Sequence, residues 1–177
     1  MTESMRAVAI SGSPSPDSTS RLLADRVLTL LEAHDFATEL VDLSSLPADA
    51  LLGRTEDAGV AGALAAVDGA SVLVLATPVY RATYTALLKT LFDLMPQGAL
   101  SGKAAVLIAT GYGAGHLLSI DHGLRPLVAS LDGLSMATGI YATGDGVVDG
   151  APVPELEARL VQAANEAAAL AAGLAGG

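Results

Sequence analysis

The chain has 177 residues, 51% of them apolar and only 16% charged, which excludes a disordered polypeptide and predicts one domain over 1–177. Nineteen acids against nine bases leave a net charge of −10, which excludes a broad cationic surface for nucleic acid or anionic lipid. Cysteine is absent, which excludes disulfide scaffolds and thiolate chemistry, and three scattered histidines argue against a zinc centre.

Ala7-Val8-Ala9-Ile10 is a short apolar run stopped by Ser11-Gly12-Ser13-Pro14, the pattern of a strand buried on both faces of a parallel sheet. Leu22, Leu23, Val27, Leu30 and Leu31 then recur at helical spacing, predicting a helix from Ser18 to Ala33 with N-cap candidates in Asp-Ser-Thr-Ser. Phe36 to Leu43 alternates and reads as a second strand near an edge, Leu46 to Gly59 as loop, and Val60 to Val67 as a short helix. Ser71 to Ala76 is the clearest buried strand, cut off by Thr77-Pro78. Leu87, Leu88, Leu91, Phe92 and Met95 form a helical stripe that ends at Pro96. Ala104 to Ala109 is the fourth strand, and Leu117, Ile120, Leu124, Leu127, Val128 and Leu131 mark the next helix. A fifth strand is expected over Met136 to Tyr141, a loop over Gly144 to Pro154, and an Ala-rich closing helix over Glu155 to Leu174. No run of about eighteen uncharged apolar residues appears, and Met1 to Met5 lack a signal-peptide layout, so a cytoplasmic protein is expected.

Strands alternating with helices imply a three-layer α/β sandwich with its ligand site at the carboxyl ends of the strands. If the strand order is 2-1-3-4-5, the turns after the first, third and fourth strands meet in one crevice. The first turn, Ser11-Gly12-Ser13-Pro14-Ser15-Pro16-Asp17-Ser18-Thr19-Ser20, is rich in hydroxyls and enters a helix, whose free N–H groups attract phosphate. It lacks both the Walker A lysine and the GxGxxG spacing, and an ordinary capped loop would look the same. The second turn, Thr77-Pro78-Val79-Tyr80-Arg81, offers a flat apolar wall and a lone cation, Arg81, suited to steering an anion. Equally, Tyr80 reads as a half-buried residue at a strand end. The third turn, Thr110-Gly111-Tyr112-Gly113-Ala114-Gly115, permits close backbone approach to a ligand, or is a plain helix-entry loop. His116 and His122 read as capping or surface groups and Lys89 as a snorkelling side chain. Asp145 and Asp149 match no EF-hand spacing.

At these turns the chain resembles the NAD(P)H-dependent FMN reductases of flavodoxin-like fold, above all the flavin reductases of two-component alkanesulfonate and methanesulfonate monooxygenase systems. The resemblance rests on Ser11-Gly12-Ser13-Pro14 with its Ser/Thr cluster, Ala76-Thr77-Pro78-Val79-Tyr80, and Leu87-Leu88-Lys89-Thr90-Leu91-Phe92-Asp93-Leu94. It continues through Ala109-Thr110-Gly111, His116-Leu117-Leu118 and Asp121-His122-Gly123-Leu124-Arg125-Pro126, and covers residues 6 to 142. It implies a five-stranded parallel sheet of order 2-1-3-4-5 with helices on both faces. Ser11, Ser13, Ser18, Thr19 and Ser20 would hold the FMN phosphate, with Pro78, Val79 and Tyr80 against the isoalloxazine. Thr110, Gly111 and Tyr112 would close over its polar edge, Tyr112 standing where the family's ATGG-like stretch has its second glycine. His122 would occupy an insertion that widens its helix into a π-helical turn near a subunit interface.

The implied activity is reduction of FMN by NADPH or NADH, with no catalytic side chain required because hydride passes between cofactors. No lysine or arginine precedes Arg21 in the first turn, so modest flavin affinity is expected, suiting delivery of reduced flavin to a partner monooxygenase. Two other readings stay open: a reductase of quinones, azo compounds or metal oxyanions that keeps its FMN, and a flavodoxin-like electron carrier. Leu88, Phe92, Leu118 and Leu127 lie around more than one helix face, so a homodimer or homotetramer is expected.

Overall fold

The computed structural model describes residues 4–176. β1 (Arg6–Ser11), β3 (Val72–Pro78) and β4 (Ala104–Thr110) form the middle of a parallel sheet, with β2 (Ala37–Asp42) on one edge. β5 (Leu134–Ser135) and β6 (Ile140–Ala142) share the other edge, both paired with β4, so the order is 2-1-3-4-5 as expected. Alternation along the strands sends Ala7, Ala9, Val74, Val106 and Ile108 to one face and Val8, Ile10, Leu73, Leu75 and Leu107 to the other, all fully buried. Water reaches neither face, which is why these strands read as continuous apolar runs.

α1 (Thr19–Glu32) and α6 (Pro154–Ala175) cover the first face. With few aromatic residues to fill that layer, α6 turns Ala163, Ala164, Ala167 and Ala171 inward, and these small side chains let it lie close against its neighbours. Arg26 on α1 reaches both carboxylate oxygens of Glu157 on α6, its Nε at 3.0 and 3.1 Å. The second face carries α2 (Ala48–Leu51), α3 (Ala58–Asp68), α4 (Ala86–Asp93) and α5 (Arg125–Ala129). Among the described residues no helix is long and apolar enough to cross a membrane.

Six expectations need correction. The stretch from Leu46 to Gly59 is not all loop, because Ala50 and Leu51 are buried and draw one helical turn, α2, onto the core. α3 begins two residues early, where the Asp57 carboxylate caps the N–H groups of Gly59 and Val60. The helix expected from Leu117 to Leu131 is broken into a 3₁₀ turn (Ala114–His116), a π turn (Ile120–Leu124) and α5. Leu117 and Leu118 fall outside those pieces and are 54% and 58% exposed. The π turn itself lies where the family resemblance implied it. Leu88, Phe92 and Leu127 are buried in the chain's own core, so of the four residues read as needing a partner only Leu118 remains uncovered.

The expected fifth strand is split. β4 residues 105 and 108 pair with 135 and 140, so four residues, 136–139, face only two of β4. Side chains from outside the sheet hold this double bulge. Arg125 donates to the carbonyls of Met136 (2.6 Å) and Ala137 (2.8 Å), and Arg159 to that of Gly139 (2.6 Å). Beyond it, the loop expected from Gly144 to Pro154 contains a small hairpin. β7 (Val147–Val148) and β8 (Ala151–Pro152) flank Asp149 and Gly150, both with positive φ as a tight hairpin turn requires.

Candidate active site

The sheet register brings the strand ends level. Ser11 pairs with Ala76, Pro78 with Thr110 and Thr110 with Ala142, and each ladder runs one residue further into the turn. Gly12 N–H donates to Ala76 O (2.8 Å), Val79 N–H to Thr110 O (2.7 Å) and Gly111 N–H to Ala142 O (3.0 Å). The turns beyond line one open crevice of about 220 Å³. Its walls are Ser13, Ser15, Ser18 and Thr19 from the first turn, Pro78, Val79 and Tyr80 from the second, and Thr110, Gly111 and Tyr112 from the third. Ala142, Thr143 and Gly144 add a fourth wall that the sequence reading assigned to no site. A signal for it existed: Thr143-Gly144 ends its strand as Thr110-Gly111 ends β4.

Three of the residues singled out from the sequence stand apart from these walls. Ser11 and Ser20 are fully buried, and Arg81 is exposed at the tip of the second turn. Tyr112 stands at the rim with its side chain in solvent. His116 and His122 are both exposed, and Lys89 pairs with Asp93 one helical turn on.

At the first turn, Ser13 Oγ accepts the Ser15 N–H (3.1 Å) and Ser18 Oγ caps α1 by accepting the Arg21 N–H (3.2 Å). Thr19 and Ser20 open the helix, so their amides have no intrahelical acceptor. No acid lies in that first helical turn, and among the described residues no lysine or arginine lines the crevice. This end of the crevice is therefore built from hydroxyls, amides and a helix dipole, a set of donors suited to an anion.

The first and second turns are fastened together through Thr85. Its hydroxyl donates to Gly12 O (2.5 Å) and accepts the Leu88 N–H (3.1 Å), while its own N–H donates to Thr77 Oγ1 (3.1 Å). Between them, Tyr80 and Thr83 exchange backbone hydrogen bonds across Arg81 and Ala82, which have φ of 52° and 72°. Two non-glycine residues in the left-handed region are strained, and such strain gathers at functional sites. The π turn packs against this tip, since a Cβ on Gly123 would stand 2.7 Å from Thr83 Oγ1.

The third turn rests on β6. Tyr141 donates its hydroxyl to Gly113 O (2.6 Å) and lies flush against Gly111. All four tyrosines of the chain gather here: Tyr80 and Tyr112 in the walls, Tyr141 behind the third turn, and Tyr84 between the second turn and Gly123.

Glu166 of α6 steadies the bulge that leads into the fourth wall, accepting from Thr138 Oγ (2.7 Å) and Thr138 N–H (3.1 Å). The Thr138 hydroxyl is the main influence holding this carboxyl below its ordinary range, aided by the Thr138 amide and Gln162 and opposed by burial. A carboxyl lowered by folding contributes stability above its unfolded value, about 4.3, and loses it as pH falls through the folded one. Glu166→Gln is therefore expected to lower the Tm by about 1–2 °C at pH 7, a small effect because the site is partly open to solvent. Thermal melts from pH 7 to pH 3 should show the gap between the two proteins closing in acid; a gap that widened would refute the assignment.

The fold and crevice define an α/β protein of the flavodoxin-like class, with its ligand site at the carboxyl ends of parallel strands. A family profile described as NADPH-dependent FMN reductase matches residues 5–147, and the chain belongs to that family. It is 36% identical over 175 residues to the NADH-dependent FMN reductase SfnF of Pseudomonas fluorescens (strain Pf0-1), covering 96% of this chain and 94% of the relative. It is 34% identical over 146 residues to the FMN reductase (NADPH) of Escherichia coli (strain K12), covering 82% and 76%. The solved apo form of an NADH:FMN oxidoreductase, EMOB, matches with a TM-score of 0.87 at 35% identity, over 93% of this chain and 89% of the other. Membership makes this chain an oxidoreductase that works with FMN and a reduced nicotinamide.

Its residues fit such a group. A phosphate ester suits the uncharged donors of the first turn, and a flat ring suits Pro78, Val79 and Tyr80. The Ser11 hydroxyl, at the root of the first turn, is buried without a hydrogen-bond partner among the described residues.

Proposed function

We propose that this chain reduces FMN with NADH or NADPH and hands the reduced flavin to a partner monooxygenase. The observation that carries the reading is the meeting of four turns around one crevice whose phosphate-facing end offers donors but no cation. Ser13, Ser18 and Thr19 would hold the phosphate, Pro78, Val79 and Tyr80 would support the ring, and Thr110, Gly111 and Tyr112 would border its polar edge. When both are bound, the cofactors supply the chemistry, a hydride passing from nicotinamide C4 to flavin N5. The chain's part is to orient and hold, so its walls need no acid or base. Ser11 and Ser20 would support the first turn from beneath, and Arg81, at a strained and exposed tip, would steer the anionic nicotinamide cofactor inward. The reading includes self-association as a homodimer or homotetramer, with Leu117 and Leu118 as the exposed apolar surface to be covered.

Release of flavin separates this reading from a reductase that keeps its FMN. Charge-assisted contacts to a dianion are roughly twice as strong as neutral ones, and the first turn supplies neutral ones. The test is oxidation of NADPH or NADH, followed at about 340 nm, while free FMN is varied. Saturable dependence on added FMN is expected. Turnover of a quinone by protein that retains stoichiometric FMN through gel filtration would favour the retaining enzyme. An absence of nicotinamide oxidation with any flavin would leave the electron carrier.

A further inference from the structure

The first helix carries one cation close to the crevice, and the structure turns it aside. Arg21 lies two residues beyond Thr19, and its Nη1 is 2.6 Å from Asp42 Oδ2 and 3.3 Å from Pro16 O. Its Nε lies 4.0 Å from Asp25 Oδ2, so one guanidinium sits between two carboxylates. Asp42 is fixed in place. Its other oxygen accepts both the N–H (3.0 Å) and the hydroxyl (2.7 Å) of Ser44, and its side chain is only 16% exposed. The pairing of β1 with β2 sets Asp42 beside Ser11, at the crevice end of the sheet. Burial, and then the neighbouring Asp42 charge, push the Asp25 carboxyl up while Arg21 pulls it down, so the three groups share one field. Arg21 and the two acids together carry net negative charge, with Asp17 adding another in the turn itself. A dianion approaching Ser13, Ser18 and Thr19 therefore meets hydroxyls and amides backed by acid.

The Arg21 guanidinium nonetheless already touches Pro16, inside that turn, so its reach is not the obstacle. We propose that Asp42 is a latch that keeps Arg21 neutralised and away from the FMN phosphate, setting flavin affinity low enough for exchange. The proposal rests on the crevice being the flavin site and adds what tunes it. Asp42 acts through Arg21 and is a positioning residue, not a catalytic one.

Asp42→Asn removes the charge while keeping an oxygen for Ser44, so the fold is preserved. Wild type, Asp42→Asn, Arg21→Gln and the double variant are titrated with FMN and with riboflavin, which lacks the phosphate, following flavin fluorescence. Asp42→Asn is expected to bind FMN about three- to tenfold tighter, more so at low salt, with riboflavin affinity unchanged. The gain should vanish in the double variant, and Arg21→Gln alone should weaken FMN by less than about threefold. A loss of tenfold or more in Arg21→Gln would show that Arg21 already serves the phosphate and would overturn the latch. Equal tightening of FMN and riboflavin, or no change with either, would overturn it too while leaving the flavin site standing. Binding of neither flavin by any variant would overturn the site and the latch together.

Discussion

Gly12→Ala is expected to lower the Tm by roughly 5–12 °C and to weaken flavin binding with it. A Cβ at position 12 would stand 2.7 Å from Leu88 Cβ and 3.3 Å from Thr85 Oγ1. Leu88 is fully buried in α4, and its Cβ is fixed to the helix backbone, so no side-chain rotation makes room. The turn cannot retreat either, because Gly12 is held at its N–H by Ala76 and at its carbonyl by Thr85. Overpacking of this kind costs about 1–3 kcal/mol, and displacing the Thr85 bond adds about 1 kcal/mol. At this chain length each kcal/mol is worth about 2–4 °C. Because the strained atoms join the first turn to the start of α4, the hydroxyl and amide donors of that turn shift as stability falls. Calorimetry and an FMN titration of the same sample check both halves, and an unchanged Tm would contradict the packing argument.

The second large effect is expected at the third turn. Gly111→Ala should weaken FMN binding about tenfold or more while leaving most of the fold stability in place. The new Cβ would lie well inside 3.0 Å of the Tyr141 hydroxyl and 3.3 Å from the ring carbon that bears it. Gly111 is not among the residues with positive φ, so the backbone itself would accept alanine and the conflict is with Tyr141 alone. That makes the substitution reparable. Tyr141→Phe removes the clashing oxygen and, with it, the 2.6 Å bond to Gly113. Alone it should weaken FMN only a few-fold, about the worth of one hydrogen bond. Combined with Gly111→Ala it should recover a large part of the lost affinity, a coupling that a double-mutant cycle measures directly. A double variant as weak as Gly111→Ala would place the fault elsewhere.

Much of the molecule can be read along the chain, and the unreadable parts have physical causes. The runs Ala7 to Ile10, Ser71 to Ala76 and Ala104 to Ala109 are legible because β1, β3 and β4 are buried on both faces. Turns rich in Ser, Thr, Gly and Pro after those runs marked three walls of the crevice. The fifth strand misled because its bulge is held by Arg125, Arg159 and Glu166, side chains brought from other elements, and no local pattern records them. Extending that strand unbroken to Tyr141 hid Thr143 and Gly144 as a strand end. The Asp149-Gly150 pair did announce a hairpin, but two-residue strands are too short to alternate visibly. Ser11 and Ser20 belong to a polar turn by type, yet the sheet pleat and the helix rotation carry both inward. Composition cannot tell a helix face that meets a partner from one that meets its own sheet, and Leu88, Phe92 and Leu127 took the second course.

The clustering of Tyr80, Tyr84, Tyr112 and Tyr141 has a practical side. With no tryptophan in the chain, these four rings are its only strong native ultraviolet emitters. Two of them line one cavity and the other two pack behind its turns, against Gly111 and Gly123. A yellow chromophore seated there would drain their excitation by energy transfer, and its departure would restore their glow. The polypeptide would thus carry an inbuilt optical gauge of its own occupancy, with no indole background to subtract.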